Sequence, residues 1–293
     1  MGCPKPNTDL DSAASMRLKA LKINKVLGSN EGMAENYGQL GQIYQRQGDL
    51  REAEKMFRQA LAIEQSRGQS GRMAGYYLSL GQICLKRKSV VQAGEMLSEG
   101  LALYTQLDDK QGQADCLVYA GLAYQRNGDF NQAEDRFKAA LETLNGFGGP
   151  NYKAAVYCCL GALYLDRTDG AAAEKVVAKA LSLYEGLGDV RGMGLVHGHL
   201  GLAAMLQNRP NAARSHIITA IQTNRRLGLQ TRLADNLANL GCLYWSQGKP
   251  RAAWVMYQRA MNLFRSAGHA PKYEQTRALL TGLSDLCPIT DNT

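Results

Sequence analysis

Glu35–Ile63, ENYGQLGQIYQRQGDLREAEKMFRQALAI, reads as two amphipathic helices on either side of a Gly-Asp turn. Its apolar and small residues fall at helical spacing: Tyr37, Leu40, Gly41 and Tyr44 before the turn, Ala53, Phe57, Ala60 and Leu61 after it. Residues three and four apart share one helix face and pack it on a neighbour. Gly41 returns as Gly81, Gly121, Gly161, Gly201 and Gly241, and Ala53 as Ala93, Ala133, Ala173, Ala213 and Ala253, always 40 residues on. A phase held through six copies is an internal repeat. A period between about 20 and 50 residues marks a solenoid, in which each unit buries its face on the next.

The spacing predicts an all-α chain organised as a single solenoid over residues 1–293. Residues 9–27 align with a second helix alone and form an N-terminal half-repeat, with Arg17 where Phe57 stands in the first full repeat. Six full repeats cover 31–268, at roughly 31–68, 71–108, 111–148, 151–188, 191–228 and 231–268. Residues 271–283 align with one more first helix and form a C-terminal cap, with Arg277 and Thr281 in place of spine residues. Residues 284–293 are expected to be a tail. Polar cap faces keep the ends of an array soluble. Within repeats, Gly or Asn is expected to supply the left-handed residue that ends the first helix, and Asp or Ser to cap the second. Pro210 and Pro250 suit the first turn of a helix.

Composition agrees with a folded soluble chain, at 45% hydrophobic and 20% charged residues among 293. No apolar run is long enough to span a membrane and no signal peptide is visible, so a cytoplasmic location is expected. Seven cysteines without a C-x-x-C pair read as reduced thiols. Met1-Gly2-Cys3 resembles the start of some N-acylated proteins, but Pro6 stands where a Ser or Thr is usual. The net charge of +8 is concentrated late: residues 201–280 hold eleven Lys or Arg against Asp235 and Glu274. Such a field favours acidic partners.

At the residues of its spine the chain resembles a tetratricopeptide repeat (TPR) protein. Tyr37-Leu40-Gly41-Tyr44-Ala53-Phe57-Ala60 carries the whole pattern, and Gly121-Tyr124-Ala133-Phe137-Ala140 and Leu240-Gly241-Tyr244-Ala253-Tyr257-Ala260 keep most of it. Cys84 and Ala204 depart from the Tyr, and Leu97, Val177 and Ile217 from the Phe. The 40-residue period resembles that of the partner-of-inscuteable (Leu-Gly-Asn repeat) type and of bacterial TPR regulators. The Asn of that type is replaced by Gln42, Gln82, Leu122, Ala162, Leu202 and Cys242. The resemblance implies a right-handed superhelix of antiparallel helix pairs whose first helices line a concave, peptide-binding groove.

On that geometry the partner-binding positions are Gln42, Gln45 and Arg46; Leu78, Gln82 and Lys86; Val118, Leu122, Gln125 and Arg126; Cys158 and Leu165; Leu195, Leu202 and Met205; and Trp245. The early positions are polar, with Arg46, Lys86 and Arg126 in equivalent places, and the late ones are apolar. This implies a protein or peptide partner with apolar anchors and some acidic character, bound by a non-enzymatic scaffold. A peptide-responsive sensor and a self-assembling homo-oligomer are the alternatives. A Lys-plus-Asn clamp for a terminal carboxylate is incomplete, since Gln42 and Gln82 replace its Asn.

No catalytic residue, cofactor or metal is expected. His197 and His199 are two apart on a helix and face different ways, no Cys–His spacing resembles zinc, and no Ser has a nucleophile elbow. The arginines of the basic stretch fall mostly on second helices without interleaved aromatics, so nucleic acid is not the expected partner.

Overall fold

The computed structural model describes residues 7–286, whose regular structure is entirely helical. The chain forms two compact units, residues 1–148 and 149–293. The first contains α1 (Asn7–Val26), α2 (Asn30–Gln47), α3 (Leu50–Arg67), α4 (Ser70–Lys86), α5 (Val90–Gln106), α6 (Lys110–Asn127) and α7 (Phe130–Thr143). The second contains α8 (Pro150–Asp166), α9 (Gly170–Leu187), α10 (Val190–Leu206), α11 (Pro210–Arg226), α12 (Gln230–Ser246), α13 (Pro250–Ser266) and α14 (Ala270–Leu286). Six helix pairs thus follow α1, and α14 closes the chain. That helix continues to Leu286, beyond the expected start of the tail at 284. The N-terminal Met-Gly-Cys, Cys287 and the rest of the tail lie outside the described residues.

Each first helix packs chiefly on the second helix of its own repeat, and the repeated glycine sets that contact. A Cβ on Gly41 would stand 2.8 Å from the Phe57 ring, on Gly121 2.7 Å from the Phe137 ring, and on Gly201 2.5 Å from Ile217. Such distances are too short for real carbons, so the helices approach this closely only because the side chain is missing. Phe57, Phe137, Val177, Ile217, Tyr257 and the alanines around them are buried in the resulting cores.

The turns repeat as strictly as the helices. A left-handed residue occurs every twenty positions at Gly28, Gly48, Gly68, Lys88, Asp108 and Gly128, and again at Thr168, Gly188, Asn208, Gly228, Gly248 and Gly268. Only Gly146, in the turn after α7, falls two residues early. Two positions, Lys88 and Thr168, correct the expectation that Gly or Asn ends each first helix, and Asp108 takes the same conformation after a second helix. Lys88, Asp108 and Thr168 adopt positive φ, and Gly170, beside Thr168, instead begins α9. There a Cβ would lie 2.7 Å from the Ala203 carbonyl oxygen. Asp49, Asp109, Asp129, Asp169 and Asp189 cap the helices that follow them, whereas Ser89 makes no capping bond.

The N-terminal cap is less polar than expected. Arg17 is exposed, but so are Met16 (66%) and Ile23 (60%) on the same helix. In α14, Arg277 and Thr281 are exposed as expected.

Candidate functional site

In the first unit the expected partner-binding residues sit on α2, α4 and α6. Gln42, Arg46 and Lys86 are exposed, while Gln45, Leu78, Gln82, Val118, Leu122 and Gln125 are half-buried. Gln45 Nε2 donates to Gln82 Oε1 at 3.4 Å, joining neighbouring repeats. Arg126 is not equivalent to Arg46 and Lys86, because its guanidinium donates to the Leu85 carbonyl at 2.5 Å. The same carbonyl also accepts from the Lys88 N–H at 3.0 Å, so Arg126 adds a second bond at the end of α4.

In the second unit, Leu165, Leu195, Leu202 and Met205 are half-buried on α8 and α10, and Trp245 on α12 is 41% exposed. Cys158 requires a correction. It is only 4% exposed and packs in a core with Ala154, Val177, Ala180, Tyr184 and Val196, so its side chain is part of the core rather than of the first-helix face. Burial pushes its thiol up to about 12, and the Cys116 thiol likewise, so both are protonated and unreactive at neutral pH.

Between α10 and α12 lies a recess of ≈ 260 Å³. Leu195, Gly198, His199 and Leu202 form one wall; Arg232, Asp235, Asn236 and Asn239 form the other, and Asn224 of α11 reaches in from behind. Both walls use the spacing i, i+3, i+4, i+7, a single helix face each. The two walls approach closely at Gly198, where a Cβ would lie 2.9 Å from Asn236 Oδ1.

Its polar groups are unusually unpaired. Asn224 is wholly buried, yet neither its Oδ1 nor its Nδ2 has a hydrogen-bond partner. His199 Nδ1 is buried and also unpaired, and burial lowers this imidazole to about 4, so it is neutral at pH 7. Arg232 makes one long bond, to the Arg191 carbonyl at 3.5 Å. Asp235 is held by Lys272 at 2.5 Å, and Asn236 Nδ2 donates to the Arg232 carbonyl at 2.9 Å.

The first unit shows what these positions do when paired. Glu64 stands at the repeat position of Asn224, and Arg72 at that of Arg232. Glu64 is also wholly buried, but it accepts from Arg67 at 2.9 Å and from Arg72 at 3.2 Å. Both arginines also bind Glu31, completing a network. The other full repeats place Tyr104, Leu144, Tyr184 and Phe264 here, and the N-terminal half-repeat places Asn24, which is half-buried. Among the six full repeats, Asn224 alone puts an amide where the others put an apolar, aromatic or ion-paired side chain.

Against known proteins, the tetratricopeptide repeat family model matches residues 7–66 and 72–146. Residues 7–146 carry tetratricopeptide repeats, and the same spine and helix pairs continue through residues 150–266. The structure of BtubC (BKLC) from P. vanneervenii is 20% identical, with a TM-score of 0.66, over 75% of this chain and 93% of that one. The apo form of RapI is 12% identical, with a TM-score of 0.74, over 90% and 94% of the two chains. The quorum sensor NprR from B. thuringiensis, in its apo form, is 14% identical, with a TM-score of 0.65, over 94% and 83%. No curated protein matches the chain. The matching family is the general repeat, so the Leu-Gly-Asn type rests on period alone.

Two further features of this repeat protein escaped the repeat pattern. His197 and His216 stack at 5.3 Å between centroids, with their Nδ1 atoms 3.1 Å apart, so one ring donates to the other. A second cavity, of ≈ 310 Å³, lies among α5, α6 and α7 around Val91, Gly94, Leu117 and Ala123. Gly94 replaces the Glu54 and Glu134 of neighbouring repeats, and Ala123 replaces Ile43 and Ile83. Among the described residues no helix is long and apolar enough to cross a membrane.

Proposed function

We propose that this repeat protein is a non-enzymatic interaction scaffold that docks a peptide or helical segment of a partner on its first helices. The observation that carries this reading is the α10–α12 face. Apolar Leu195 and Leu202 border hydrogen-bonding groups that have no partner within the chain. Buried polar groups are almost always paired, and unpaired ones cost about 1–3 kcal/mol each, so the arrangement favours an external partner. Apolar side chains beside them supply the anchors by which a segment is held. In the first unit, exposed Arg46 and Lys86 favour acidic character in whatever lies across α2 and α4.

A sensor, in which a bound peptide changes the protein's activity toward others, is the second reading. It is supported by the relatives of this fold, which include a quorum sensor and a Rap protein complexed with competence and sporulation factor. Partners captured from native lysate are to be titrated against wild type and the Leu202→Glu, Met205→Glu double variant, with helicity confirming the fold. The expected result is at least tenfold weaker binding by the variant. Unchanged affinity would remove the first-helix face of the second unit from the site.

A further inference from the structure

The recess between α10 and α12 contains a donor and an acceptor side by side on one amide, both unpaired. We infer that it receives a primary carboxamide, the end of a Gln or Asn side chain presented by the docked partner. This rests on the docking reading above and names the chemistry of its central contact.

Three observations carry it. The first is the pairing requirement of Asn224. Its Oδ1 needs a donor and its Nδ2 an acceptor, and exchanging the two atoms leaves the same need. A carboxylate offers acceptors only and leaves Oδ1 facing an anion. An ammonium offers donors only. Another amide satisfies both atoms at once, with its N–H donating to Oδ1 and its carbonyl accepting from Nδ2.

The second is the rest of the lining. The Arg232 guanidinium, with one long bond to a carbonyl, has donors left for the same carbonyl oxygen. Neutral His199, as its Nε2-protonated tautomer, offers Nδ1 to the second amide hydrogen. A carboxamide therefore offers a complementary donor or acceptor to each unpaired buried atom of the recess. Against the Glu64–Arg72 pair of the first unit, Asn224 keeps the arginine but removes the internal carboxylate, leaving Arg232 available.

The third is depth. Asn224 belongs to a second helix and lies wholly buried behind walls made by two first helices. An extended backbone crossing those helices stays on their surface. A side chain is narrow enough to enter a recess of ≈ 260 Å³, and it reaches the covered amide of Asn224 by parting the side chains above it.

The test uses three fragments of one shape: propionamide with donor and acceptor, propionate with acceptors and charge, and 2-butanone with an acceptor only. Binding is followed through the side-chain amide resonances of Asn224 and the ring resonances of His199 in the full chain. Propionamide is expected to shift both saturably, with a dissociation constant on the order of 10 mM. Propionate and 2-butanone should bind about tenfold more weakly, as ligands that leave buried polar groups unpaired do. Asn224→Leu should abolish the response and hold or raise Tm, because it removes two unpaired buried atoms. If that variant does not fold, Arg232→Leu, which keeps the floor, should still weaken propionamide several-fold. Equal or tighter binding of propionate overturns the inference, as does no saturable shift at about 200 mM propionamide. These fragments carry no apolar anchor and probe only the polar groups of the recess, so their failure leaves the docking reading standing.

Discussion

Gly121 shows how one missing side chain holds two helices together. Its hypothetical Cβ would overlap the rim of the wholly buried Phe137 ring. Gly121→Ala is therefore expected to destabilise the first unit by about 1–3 kcal/mol, the usual range for overpacking, as measured by chemical denaturation. Thr168 predicts the opposite sign. It holds φ at 59°, where a β-branched residue is strained, in a position that Gly48, Gly128 and Gly248 fill without cost. Thr168→Gly should stabilise the second unit by about 1 kcal/mol, the left-handed penalty less the extra chain entropy of glycine. A fall in denaturation midpoint would contradict this. The glycine column could be read from the sequence because its cause is local and recurs. Thr168 could not, because the adjacent Gly170 offered the more permissive residue while close approach to Ala203 reserved it for the helix.

Helices and their caps were legible for the same reason that single sites were not. Period and turn chemistry placed the start of each of the six helix pairs within a residue, since each pair repeats one packing solution, while α7 ends at Thr143, short of the expected boundary at 148. The recess between α10 and α12 depends on what departs from that solution. Asn224 becomes conspicuous only when Glu64, Leu144, Tyr184 and Phe264 of its column are seen to be buried, with Tyr104 half-buried. A polar residue in a buried column was the available signal. Cys158 failed conversely, since a small thiol suits either a groove or a core and only packing decides. The cavity among α5, α6 and α7 comes from the same kind of departure, two truncations that meet across helices. Ala123→Leu restores the side-chain bulk that Ile43 and Ile83 supply elsewhere. It is expected to fill part of the ≈ 310 Å³ and raise stability by about 1–2 kcal/mol. A loss of stability would mean that the cavity walls cannot admit the side chain.

Across the whole molecule, acid should act unevenly on the two units. All four histidines belong to residues 149–293, and three of them resist protonation in the fold. Burial lowers His199 to about 4, with Arg232 adding to the effect and Asp166 opposing it. Burial also lowers His197 and His216; their mutual repulsion adds for His197, while Glu185 and Glu174 work against the shifts. In the unfolded chain these rings titrate near 6.5, so between that value and about 4 the unfolded state binds protons that the folded state refuses. Stability of the second unit is therefore complete above pH 6.5 and declines as pH falls. His199 alone contributes up to about 1.4 kcal/mol for each pH unit of that interval. The first unit contains no histidine, so lowering pH from 7 to 5 should leave its histidine term at zero. Hydrogen exchange at the two pH values separates the units residue by residue. Protection is expected to drop in the cores of α10, α11 and α12 while that of α2 to α6 holds. His199→Gln should remove most of the dependence. Equal loss of protection in both units, or a variant as acid-sensitive as wild type, would show that carboxylates rather than these imidazoles set the response.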